Sequence, residues 1–117
     1  MNDKELHTLI KNACKAAGWR IKRLGPDSLG ATTIWIDDAP VIVKLADDDG
    51  DSRMLQVACR IDMFFNNDLR KNGHEVVTAF HDDERGYSHS EPISDDAHKS
   101  ARLAVLRCAA MIGEAME

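Results

Sequence analysis

Leu6, Leu9, Ile10, Ala13 and Ala17 recur at steps of three and four, with Lys4, Thr8, Lys11 and Lys15 on the opposite side. That period predicts an amphipathic helix over residues 3–17, closed by Gly18 as its C-cap. Beyond it the period falls to two. Residues 19–24 read as a strand with Trp19, Ile21 and Arg23 on one face. Gly25-Pro26-Asp27-Ser28 has turn chemistry, and residues 31–37 form a second strand in which Thr32, Ile34 and Ile36 alternate with Thr33 and Trp35. After Asp38-Ala39-Pro40, the β-branched run 41–45 is a third strand or an extended connection. Met54, Leu55, Ala58, Ile61 and Phe65 return to helical spacing. They predict a second helix that starts at an Asp51 or Ser52 N-cap and runs to about residue 65. Asn72-Gly73 is a turn, residues 74–81 are a strand, and Tyr87-Ser88-His89 returns as an edge strand.

The last helix, about 96–116 with Ser94 or Asp95 as N-cap, has one broad apolar face: Ala97, Ala101, Ala104, Val105, Cys108, Met111, Ile112 and Ala115. Its small residues allow another element to approach closely. Leu103 and Leu106 fall outside this face, among Lys99, Arg107 and Glu114. They pack under a loop or form a small exposed patch, and they are the candidate subunit contact of a homodimer. The order α-β-β-(β)-α-β-(β)-α predicts an α+β fold: one layered domain over 1–117, a mainly antiparallel small sheet packed by three helices.

A chain of 117 residues, 44% hydrophobic and 30% charged, can bury one sizeable core. Its net charge of −5 argues against direct nucleic-acid binding, which needs a basic face. No apolar run reaches the roughly 18 residues of a membrane span, and the polar start Met1-Asn2-Asp3-Lys4-Glu5 does not read as a signal peptide. A cytoplasmic protein is expected, with no membrane partner. Cys14, Cys59 and Cys108 are odd in number and widely spaced. They fit neither a disulfide framework nor a zinc motif, and are expected as reduced, packed thiols.

The chemistry-bearing motifs are sparse, and no cofactor is implied. The acidic loop 47–51 lacks the EF-hand ligands, because Leu45 and Gln56 stand where carboxylates are needed. His81-Asp82 with Asp83 resembles the metal dyad of HD-type phosphohydrolases but ends a predicted strand. His81 and His89 could face one another across a hairpin and hold a metal with Asp82 or Glu91. A polar hairpin surface is the plainer reading. Gly25 and Gly30 lack the Lys-Ser/Thr of a phosphate loop, and no nucleophile elbow is present. No catalytic residue is assigned. The acidic residues Asp47, Asp48, Asp49, Asp51, Asp82, Asp83 and Glu84 are the candidate partner-binding set. On one side of the molecule they would imitate nucleic-acid phosphate; otherwise they serve solubility.

Residues 48–58 resemble the acidic-Gly-Asp segment and amphipathic helix of small phage and prophage proteins, and residues 100–116 resemble their Ala/Arg-rich closing helix. Those proteins are similar to the phage α-β-α sandwich domains. Lys44-Leu45-Ala46 stand where many of them have a Trp-Asn-Pro element. The resemblance implies no catalytic residues. It implies a non-enzymatic phage or prophage accessory protein that binds a host or phage protein, with inhibition of a host defence system as the concrete form. A small-molecule, nucleotide or metal binder with its site at a subunit interface is the alternative, and a small metal-dependent hydrolase is a further one.

Overall fold

In the computed structural model, which describes residues 2–26, 28–30, 32–36, 42–45, 48–68, 74–81, 86–93 and 96–116, an α-β-β-β unit occurs twice and a final helix closes the chain. The elements are α1 (Asp3–Ala17), β1 (Ile21–Pro26), β2 (Thr32–Ile36), β3 (Ile42–Val43), α2 (Asp49–Cys59), β4 (Ile61–Asp68), β5 (His74–His81), β6 (Ser88–Pro92) and α3 (Ala97–Ala115). The α+β class is as expected, but the strands form two antiparallel three-stranded sheets, β1-β2-β3 and β4-β5-β6, rather than one small sheet.

Local chemistry sets the element ends. Asn2 caps α1 by accepting the Glu5 N–H at 2.8 Å. Gly18, at φ 76°, closes it in the left-handed region, donating to the Lys15 carbonyl at 3.2 Å while Trp19 reaches that of Cys14 at 2.9 Å. A bulge between Ile21 and Arg23 turns Arg23 to the outer face of β1, where its guanidinium lies 4.5 Å over the Trp35 ring. The expected common face of Ile21 and Arg23 is therefore broken, and Leu24 packs inward in place of Arg23.

The second helix ends six residues earlier than its period suggests, at Cys59. Arg60 takes φ 57° and ψ 51°, and its N–H satisfies the Gln56 and Val57 carbonyls. The chain then leaves as β4, and all eight of its residues pair with β5, from Ile61↔His81 to Asp68↔His74. Ile61 and Phe65 fit both a helical and a two-residue period, which is why the helix reading extended across them. The N-caps also lie elsewhere than expected. Asp48 rather than Asp51 or Ser52 caps α2, and Asp96 caps α3; Ser94 and Asp95 lie outside the described residues. β6 extends to Pro92, past the expected end at His89.

Residues from α1, β2, α2, β4, β5 and α3 meet in one core, with Ile10, Ile34, Leu55, Ile61, Val77 and Val105 among its larger members. α3 is the central element. It packs against α1, α2, β4, β5 and β6. It runs alongside α1 in the same direction, Asn12 lying against Gly113 and Lys15 donating its Nζ proton to the Met116 carbonyl at 2.8 Å. A helix covered on several sides must be apolar on several sides. Leu106 is accordingly fully buried and Leu103 half-buried, so Leu106 is a core residue and is not available for the subunit contact expected of the pair.

Candidate functional site

The start of α2 gathers three of the acidic candidates, and each uses its carboxylate within the chain. Asp48 Oδ1 accepts the Asp51 N–H at 3.0 Å as the N-cap. Asp51 Oδ2 accepts the Lys44 N–H at 2.7 Å and so fastens the preceding segment to the helix. Asp49 reaches α3: its Oδ1 takes a hydrogen bond from Arg102 Nη1 at 2.5 Å, and its Oδ2 lies 3.0 Å from His98 Nδ1. The Arg102 hydrogen bond outweighs the opposing desolvation and, with the charges of His98 and Arg102, holds the Asp49 carboxyl below its ordinary 3.8. A depressed carboxylate pKa stabilises the fold above the unfolded value, and that contribution is lost as pH falls through the folded one.

An imidazole held at Nδ1 by a carboxylate is the pairing a general base uses. Here the His98 side chain is 77% exposed and Asp49 is shared with Arg102. The cluster therefore acts as a clamp between the first turn of α2 and the first two turns of α3.

Beneath this clamp lies a cleft of about 290 Å³ walled by Ser52, Gln56, Met63, Phe65 and Arg102. On the other side of Arg53 and Gln56 a second groove follows β4, lined by Val57, Arg60 and Met63. β4 is an edge strand with β5 as its only paired neighbour among the described residues. Its side chains alternate. Phe64 lies on the outer sheet face, 5.6 Å from the Phe80 ring, while Met63 and Phe65 turn toward α2 and α3. Phe65 is 60% exposed, Val57 75% and Phe64 47%, with Met54 also exposed. Singly exposed apolar residues are ordinary, but Phe65 and Val57 line adjoining grooves that share Arg53, Gln56 and Met63, and apolar side chains exposed beside a sheet edge mark a contact surface.

The other sequence candidates lie apart from this surface or beyond description. Asp47, Asp82, Asp83 and Glu84 lie outside the described residues. His81 and His89 share the inner face of the β5–β6 pair, but the register sets His89 opposite Ala79 and bonds the His81 N–H to the Tyr87 carbonyl at 2.8 Å. The two histidines are thus diagonal neighbours. Among the described residues no group of three His, Cys, Asp or Glu side chains is placed to hold a metal ion. Cys14, Cys59 and Cys108 are free and buried.

The sequence does not mark Val57, Phe64 and Phe65 as a surface, because the helical spacing of Met54, Leu55, Ala58, Ile61 and Phe65 runs across the end of α2. The signal available was the two-residue alternation of Ile61, Met63 and Phe65 beside Phe64. No protein-family model, no curated protein and no solved structure matches the chain.

Proposed function

We propose that this chain is a non-enzymatic binding protein whose partner docks along α2 and the open edge of β4. The observation that carries this is the pair of exposed apolar side chains there, Val57 and Phe65, in adjoining grooves beside a strand whose outer edge has no partner among the described residues. An edge strand offers main-chain donors and acceptors in a row, and flanking grooves select side chains. Arg53 and Arg60 line the groove, in a chain whose net charge is −5. The partner is therefore an extended protein segment with apolar side chains and acidic flanks. The carboxylates of Asp48, Asp49 and Asp51 are engaged internally, which favours this surface over the acidic cluster. The resemblance of residues 48–58 and 100–116 to small phage proteins supports a host or phage protein as that partner, met in the bacterial cytoplasm. Blocking a host defence protein is the concrete form of that role.

Val57→Asp and Phe65→Asp test this. Immobilised wild-type chain is expected to retain one stoichiometric protein from a bacterial lysate. Both variants should lose it, with unchanged circular dichroism, while Glu114→Gln on the far side of α3 keeps it. Retention of the same protein by both aspartate variants, or no stoichiometric protein on the wild-type chain, would overturn the proposal.

A further inference from the structure

A separate cavity of about 580 Å³ opens between α1 and α3 beside β6. That is within the range of roughly 300–1,000 Å³ typical of small-molecule sites. Behind its wall a single carboxylate oxygen holds two of the lining residues, His89 and Arg107. Glu91 Oε1 lies 2.6 Å from His89 Nε2 and 3.0 Å from Arg107 Nε. The Arg107 contact is an ion pair without hydrogen-bond alignment, so this buried N–H has no hydrogen-bond partner. That N–H faces Glu91 and is closed to the cavity, but the Arg107 side chain as a whole is 36% exposed, and a guanidinium fork is shaped to take a carboxylate.

The remaining walls narrow the ligand class. Lys4 and Arg107 supply two positive charges, and Glu5 and Glu114 supply two negative ones. A simple anion would meet two carboxylates, and a simple cation would meet two basic groups. A net-neutral ligand with separated charges suits both. Arg107 and Glu114 stand seven residues apart on α3, about 10 Å along the helix. An extended dipeptide spans about 7 Å before its hydrogen bonds are added, which suits charged groups presented at that spacing along one helix. Leu9 and Met111 give an apolar wall for a side chain.

We propose that the α1–α3 cavity binds a short zwitterionic peptide of dipeptide size. Its carboxylate lies on Arg107, its ammonium on Glu114, and an aliphatic side chain on Leu9 and Met111. This site is independent of the β4 surface and stands whether or not that surface binds a protein.

The test is a titration of the full-length chain with leucylglycine, followed by amide chemical shifts and calorimetry. Free leucine, pentanoate and butylamine serve as probes of charge spacing and of single charges. Saturable binding is expected, with shifts confined to α1, α3 and β6. Each of the three controls should bind at least about tenfold more weakly, as should the dipeptide to Glu114→Gln, which changes an exposed side chain, and to Arg107→Lys. No saturation by ~10 mM dipeptide would overturn the proposal. So would binding that the Glu114→Gln variant leaves unchanged, or pentanoate binding as tightly as the dipeptide.

Discussion

The Gly113→Ala substitution would set a Cβ on the Asn12 carbonyl, 2.6 Å from its carbon, where α1 and α3 lie side by side. Backbone cannot swing aside as a side-chain end can, so the two helices would have to separate along their shared length. The expected cost is about 3 kcal/mol or more, at the upper end of overpacking. Gly18→Ala meets nothing within 4 Å but must hold φ 76°, and its cost should be about 1 kcal/mol. Urea unfolding of the two variants separates the effects. Equal, small losses would show that α1 and α3 do not depend on that close approach. Gly18 was legible in the sequence because it follows the last apolar residue of a periodic run. Gly113 was not, because a glycine inside a helix reads only as a weak point, and its partner Asn12 lies 101 positions away in the chain. Leu106 was misread for a related reason. One helix's period shows its strongest face, and not how many neighbours surround it.

Most of the elements were readable as local patterns, and the largest error falls where two periods overlap. His74–His81 was expected as a strand and is one, because Val76, Val77 and Phe80 are poor helix material between turn residues. The α2–β4 junction was missed because Arg60 adopts a left-handed cap that the sequence normally signals with glycine. The acidic loop was legible as a helix start, but the contacts of Asp49 with Arg102 and His98 join segments about 50 residues apart, and no spacing rule reaches that far. The capping role of Asp48 is testable at this scale. Asp48→Ala should lower stability by about 1 kcal/mol. Asp48→Asn, which keeps the acceptor for the Asp51 N–H and drops the charge, should lose only a few tenths of that. Equal losses in denaturant unfolding would mean that charge at the helix start, and not the cap hydrogen bond, sets the contribution.

At the scale of the whole molecule, three helices each bring one thiol to a common core: Cys14 from α1, Cys59 from the last position of α2 and Cys108 from α3. Burial pushes Cys14 up to about 12 and Cys59 and Cys108 up to about 11, from an ordinary 9.0. The neighbouring thiol adds to the shift at Cys14 and at Cys59, while a backbone hydrogen bond from His81 opposes it at Cys108. A thiol pKa raised by folding stabilises the native state fully below the unfolded value. The contribution is lost as pH climbs from that value through the folded one, because only the unfolded chain gains by ionising. Stability should therefore hold up to about pH 9 and then decline steadily toward pH 11. Lysine and tyrosine also titrate there, so the comparison is with a variant carrying Cys14→Ala, Cys59→Ala and Cys108→Ala. Its urea midpoint should fall less between about pH 8.5 and about pH 10.5 than that of the wild type. An aromatic disulfide reagent on the unmodified wild-type chain gives a second reading that needs no variant. At pH 8 the native thiols should react only as fast as the core opens, and all three together in denaturant. Rapid reaction of even one thiol in the native chain, or parallel alkaline decline in both proteins, would mean that the three helices do not close over their cysteines as a single packed centre.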